Sequence, residues 1–249
     1  LRLAVQLQSS KGQFALLLGS GISQPAKVLT GWAIQCDLVR KIAALNQFTS
    51  SDFKEIEQWY HSYFGKEPNY SDLLDSLTAS RPERIQLLKK YFEPNDEELQ
   101  RGEKAPTLAH RSIAKLISAG YIKVVVTTNF DRLLEKALEA DGLSPVVVRS
   151  VQDLKTALPM QHNKCTIYKI HGDYLDASIR NTKTELEKYE PAWNKQLERI
   201  FSEYGLIVCG WSSSYDDALR ALVMKPKSSH FGVHWIARGP ISKEGAEVI

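Results

Sequence analysis

Cysteine is scarce in this chain. Cys36, Cys165 and Cys209 are the only three in 249 residues, they stand far apart, and no CxxC pair occurs. That spacing suits neither a zinc knuckle nor a disulfide framework, so no structural metal is expected. Cys165 and Cys209 fall in strand-like apolar runs, where a thiol serves as a small buried hydrophobe. Long hydrophobic runs are missing too: none approaches the ~18 residues of a membrane helix. The opening LRLAVQLQSSKG lacks the apolar core and cleavage site of a signal peptide, which leads to a cytoplasmic expectation. Excess charge of one sign is likewise absent. Against 29 acidic residues stand 32 basic ones, a net +3, and no Lys/Arg block is interleaved with aromatics. Neither membrane nor direct nucleic-acid binding is therefore expected. The chain opens on Leu1 rather than methionine, and its ending, GPISKEGAEVI, reads as the start of another element, so a longer parent protein is expected. Repeats and low-complexity segments are absent.

What is present is ordinary globular material, 43% hydrophobic and 24% charged, enough for a substantial core. QFALLLGSG (13–21) reads as a buried strand stopped by glycines, and GWAIQCDLVRKIAALN (31–46) sets Ile34, Leu38, Ile42 and Leu45 on one helical face. Residues 48–104 carry aromatics and helical spacing but no clear strand, which predicts a helical insertion. From Thr107 strands and helices alternate. A helix over TLAHRSIAKLISAG, with Gly120 past its end, precedes the strand IKVVVTT and the helix DRLLEKALEADG. The strand PVVVRS, a helix over 151–158, the strand CTIYKIHG and a polar helical stretch over about 182–203 come next. GLIVCG, the helix SYDDALRALVM and the strand FGVHWIAR complete the series. This rhythm predicts an α/β chain, a Rossmann-like doubly wound parallel sheet whose ligands bind outside the carboxyl ends of the strands.

Four such ends carry polar residues. The first is Gly19, Ser20, Gly21, Ile22 and Ser23, either a diphosphate cradle of backbone N–H groups or a tight turn packing helix on strand. It is not a dinucleotide fingerprint: Gln24 stands where GxGxxG needs its third glycine, and no acidic residue ends a second strand about twenty residues on. The second is TTNFD, where Thr128 or Asn129 either caps the next helix or, with Asp131, meets a ribose or a water. The third is His171 with Gly172. His61, His110, His162 and His230 lack such a setting, and His234, inside the last strand, reads as a packed or hydrogen-bonded residue. The fourth is GWSSSYDD, with Gly210 and Ser212 at the strand end. Its plainer reading is a cap by Ser212, Ser213 or Ser214, with Asp216 and Asp217 favouring the first helical turn.

The order GSGIS, TTNFD, HG, GWS resembles the sirtuin (SIR2) superfamily, over most of the chain from Phe14 to about Arg238. Thr30, Gly31 and Trp32 occupy the place of the sirtuin GIPDFR-like segment, without its Phe and Arg. Protein-deacylating sirtuins follow HG with a four-cysteine zinc module, whereas HGDYLDASIRNTKTELEKYE contains no cysteine. The TTNFD variant and the short GWS–D segment look more like the SIR2-like domains of bacterial anti-phage defence proteins, which hydrolyse NAD. The resemblance implies a SIR2-like NAD-binding domain over 1–249 with the 48–104 insertion inside it. Asn129 and His171 are then the catalytic pair, NAD is the substrate, and no metal takes part. Gly19, Ser20, Gly21, Ser23, Thr30, Gly31, Trp32, Thr128, Asp131, Gly210 and Ser212 become its binding residues. It also implies a homo-oligomer with a sensor or regulatory domain or partner. A non-catalytic NAD or ADP-ribose sensor and an NAD-dependent deacylase are the competing expectations.

Overall fold

A computed structural model of the chain describes residues 2–176, 179, 186–214, 216–225, 231–237, 239–241 and 243–247. Six strands form one sheet: β1 (Phe14–Leu18), β2 (Ile122–Thr127), β3 (Val146–Val148), β4 (Thr166–Lys169), β5 (Gly205–Cys209) and β6 (Val233–Ile236). All five pairings are parallel, in the order β3-β4-β2-β1-β5-β6. The chain thus builds outward from β1 to one side through β2 and to the other through β5. That reversal is a topological switch point, where open α/β sheets leave a crevice. The doubly wound parallel sheet is as expected.

Side-chain alternation explains the two covered faces. Ala15 and Leu17 of β1, with Val124, Val126, Leu206 and Val208, pack under the helices Pro191–Glu203 and Asp217–Met224. Phe14, Leu16 and Leu18, with Val125, Ile167 and Ile207, pack under the helices Leu108–Ser118 and Leu133–Ala140. A strand buried on both faces has no need to alternate apolar with polar, so FALLL and KVVVT read as continuous hydrophobic runs. Residues 48–104 contribute the helices Phe53–Phe64, Tyr70–Leu77, Arg81–Phe92 and Asp96–Gln100 and, among the described residues, no strand. With the helix Gly31–Leu45 they enclose a separate apolar cluster that also takes in Phe130 and Tyr174.

Several boundaries differ from the sequence reading. A helix Arg2–Ser9 precedes β1, unanticipated because none of its residues is buried. Within the stretch expected to be helical over about 182–203, Leu186 is helical and a separate helix runs over Pro191–Glu203, opened by a proline whose fixed φ suits a first helical position; residues 182–185 lie outside the described ones. The helix after TTNFD starts at Leu133, and neither Thr128 nor Asn129 caps it. Ser212, Ser213 and Ser214 do not cap the helix after β5 either; Asp216 does, accepting from the Leu219 N–H at 2.8 Å. His234 packs 5.8 Å from the Phe14 ring, and its Nε2 is buried without a hydrogen-bond partner among the described residues.

Candidate active site at the switch point

Register brings the four motifs to one level. Leu18 lies opposite both Thr127 and Cys209, and Thr127 opposite Lys169, so the strands end in a row and the four loops leave it together. They enclose a cavity of about 360 Å³ whose lining includes Ser20, Gly21, Ser23, Thr30, Gly31, Trp32, Thr128, Asn129, Asp131, His171, Gly210 and Ser212. Of the catalytic and binding residues that the sequence resemblance implied, Gly19 alone is missing from that lining.

Gly19 serves instead where two loops touch. A Cβ there would stand 2.5 Å from the Trp211 Cα, and one on Gly21 2.8 Å from the Gly210 Cα. Gly210 has φ +69°, and a Cβ on it would meet the Ile22 nitrogen at 2.6 Å. Three glycines therefore let the loops after β1 and β5 meet backbone to backbone. The contact occupies the N–H groups that a diphosphate cradle would offer. Gly19 donates to the Cys209 carbonyl, Gly21 to that of Gly210, Ile22 to Gly19 and Ser23 to Ser20, which leaves Ser20's own N–H without a backbone partner among the described residues. Thr30 caps the following helix by accepting from Ala33, while Trp32 stands exposed, edge-on to Phe53.

Asn129 sits at the end of a polar chain. The Ser23 hydroxyl donates to Asp131 Oδ2 at 2.8 Å, so its oxygen accepts from Asn129 Nδ2 at 3.3 Å. This fixes the amide's orientation and leaves Oδ1 buried, with no partner among the described residues. Such an orphaned acceptor needs an explanation, and a ligand hydroxyl or water supplies one. Asp131 Oδ1 accepts from the Leu133 N–H at 3.0 Å, so this carboxylate steadies the helix start and Ser23 at once. His110, passed over in the sequence, is fully buried, with Nε2 3.4 Å from Ser23 Oγ and Nδ1 accepting from the Thr107 N–H. Burial pulls its imidazole below the usual range, against the opposing pull of Asp131. Only its place three residues after the capping Thr107 marked it in the sequence.

His171 is buried across the cavity. Its Nε2 lies 2.7 Å from Asp216 Oδ2 and 2.9 Å from the Tyr189 hydroxyl, which donates to that same carboxylate oxygen. Beneath the TTNFD loop, Lys169 is fully buried; its Nζ donates to the carbonyls of Asp131 at 2.6 Å and Phe130 at 3.3 Å. Asp173 at 2.9 Å and Glu135 at 3.2 Å neutralise it. Burial pulls its pKa down, and these carboxylates outweigh that, so the net direction is up. Glu135 is the looser counter-ion, and burial pushes its carboxyl up. An amide acceptor, an imidazole backed by a carboxylate and a rigidly held loop can orient and deprotonate a hydroxyl or water.

Residues 123–237 match the family model described as SIR2-like domain. That stretch is similar to the SIR2-like family. It holds β2, β4, β5 and three of the four motifs; GSGIS lies ahead of the matched residues. Over 181 residues the chain is 28% identical to the NAD(+) hydrolase ThsA of Enterococcus faecium, covering 72% of this chain and 32% of that protein. It thus spans about a third of that relative's length. Two solved structures resemble the whole chain. One is Sir2Tm bound to a propionylated peptide, 16% identical, TM-score 0.48, covering 96% of this chain and 86% of that one. The other is a Sir2 mutant with a p53 peptide and NAD, 15% identical, TM-score 0.46, covering 97% and 90%. Among the described residues no three His, Cys, Asp or Glu side chains are grouped to hold a metal ion, and no helix is long and apolar enough to cross a membrane.

Proposed function

We propose that the chain is an NAD glycohydrolase: it cleaves the bond between nicotinamide and ribose, releasing nicotinamide and ADP-ribose or a cyclic isomer. The observation that carries this reading is the meeting of Asn129, with its orphaned Oδ1, and His171 in one cavity at the switch point. The similarity to a protein named as an NAD(+) hydrolase supports it. We further propose a single NAD-binding domain with 48–104 as an inserted lobe. It would act in the cytoplasm as the effector of a bacterial anti-phage system, a homo-oligomer governed by a sensor domain or partner.

The chemistry follows from the substrate. Nicotinamide is already cationic on the anomeric carbon, so it leaves with the bonding pair as a neutral molecule and needs no acid. The carbon passes through an oxocarbenium-like state. Asn129 Oδ1 orients a ribose hydroxyl or the incoming water. His171 takes the proton that water gives up as it adds, a service worth about 10²–10⁴-fold. If a hydroxyl or ring nitrogen of the substrate adds instead, the product is cyclic. Ser20, through its N–H and hydroxyl, and Ser212 hold the diphosphate and adenosine halves. Ser23 and Asp131 hold Asn129.

Chromatography of NAD incubated with the purified protein tests this. Wild type should release nicotinamide, whereas Asn129→Ala and His171→Ala should each lose at least about 10²-fold while keeping the wild-type circular dichroism spectrum. Full turnover by both variants would sink the assignment. Tight NAD binding without turnover would instead favour a sensor.

A further inference from the structure

We propose that Asp216 is a positioning residue for His171, holding the imidazole with its proton on Nε2 so that Nδ1 is the nitrogen that acts as base. This deepens the glycohydrolase reading and rests on it. The Asp216 carboxylate only accepts hydrogen bonds, so a ring nitrogen 2.7 Å from it must carry a proton. Tyr189 donates to the same oxygen, and a hydroxyl with its proton committed there can only receive from the ring nitrogen 2.9 Å away. Both contacts require Nε2–H. In a neutral imidazole the other nitrogen is then the free base.

The carboxylate is itself immobilised. Its Oδ1 accepts the Leu219 N–H as the cap of Asp217–Met224, and the side chain is buried. It reaches His171 from the β5 loop, 45 residues away in sequence, so one side chain ties the base to the loop bearing Gly210 and Ser212. When Nδ1 takes a proton from water or a ribose hydroxyl, the imidazolium forms against a charge already in place. In hydrolase triads, a carboxylate that orients its histidine in this way carries about 10⁴ of kcat.

Helix capping is the competing role, and two substitutions separate it from positioning. Serine and asparagine both cap well, but serine cannot reach His171 and asparagine can offer Nε2 a donor. In Asp216→Ser and Asp216→Asn the cap is kept, so any fall in melting temperature comes from the buried Nε2–H and Tyr189 hydroxyl that lose their acceptor. Measured well below those melting temperatures, we expect a kcat for nicotinamide release lowered by about 10²-fold or more and a KM within about threefold of wild type. ¹⁵N NMR of histidine-labelled wild-type protein should show His171 protonated on Nε2. Nδ1–H in wild type, or a kcat for Asp216→Ser within about threefold of wild type, would overturn the proposal. Should wild type release no nicotinamide, the glycohydrolase reading fails by itself, and the tautomer measurement still decides the pairing.

Discussion

Lys169 shows what a single side chain can decide. It donates to two consecutive carbonyls of the TTNFD loop, so the backbone beside Asn129 is shaped from below by a buried ammonium. Removing one partner of such a network leaves charge in a dry site, at a cost of about 3–5 kcal/mol. Lys169→Met should therefore lower the free energy of unfolding by that amount, read as a lower urea midpoint at an unchanged m-value, and a loss under about 1 kcal/mol would show the network to be dispensable. Removing Asp173 as well, as leucine, should return part of the loss because a buried charge goes with it. At this scale the sequence was half legible. Asn129 and His171 announced themselves by standing at strand ends. Lys169 stands as a lone charge inside CTIYKI, but its counter-ion Glu135 comes from the helix Leu133–Ala140, 34 residues away in sequence. Asp216 was read as favouring a helix start, which it does; its other oxygen, on His171, is set by tertiary structure alone.

The contact between the loops after β1 and β5 belongs to the element scale. Strands and helices were legible because burial follows period: two-faced strands are continuous apolar runs, and helices show one apolar stripe. Element ends were less so, since caps and glycines act through space. GSGIS suggested phosphate-binding N–H groups, yet most of them hydrogen-bond within the fold because three glycines bring two backbones together. An alanine at Gly210 must keep a left-handed φ, at about 1–2 kcal/mol, and also displace the Ile22 nitrogen. Gly21→Ala carries no such φ penalty but collides with the Gly210 Cα. Both variants should push the loops apart. We expect melting temperatures lowered by at least about 4 °C and a raised KM for NAD, measured by thermal scanning and nicotinamide release. Gly142→Ala provides the control. Its φ is +73°, but a Cβ there meets nothing within 4 Å, so it should lose stability without any change in KM.

Across the whole molecule the helical lobe packs against the sheet's loops and helices at several residues, Phe130, Leu133 and Tyr174 among them. Phe130 lies between Asn129 and Asp131 in the chain, yet it is buried in the lobe's cluster, 6.2 Å from the rings of both Tyr70 and Phe92 and 6.5 Å from that of His171. The sequence marked 48–104 as strandless and aromatic-rich, but nothing in it indicated that this lobe would grip the second motif. If the grip sets the loop, truncating Phe130 acts twice. Phe130→Ala should cost about 3–5 kcal/mol as a core cavity, and it should also weaken catalysis in the protein that remains folded. Leu88→Ala, in the same cluster but lining neither the loop nor the cavity, separates the two effects: it should lose comparable stability, about 2–5 kcal/mol, and keep more of its kcat/KM. Both are measured well below their melting temperatures, so that the folded fraction is equal. Equal loss of kcat/KM in the two variants would mean that the lobe only stabilises the fold. A deeper loss in Phe130→Ala would mean that packing in the lobe holds Asn129 in place, which gives any partner that loosens the lobe a direct hold on the reaction.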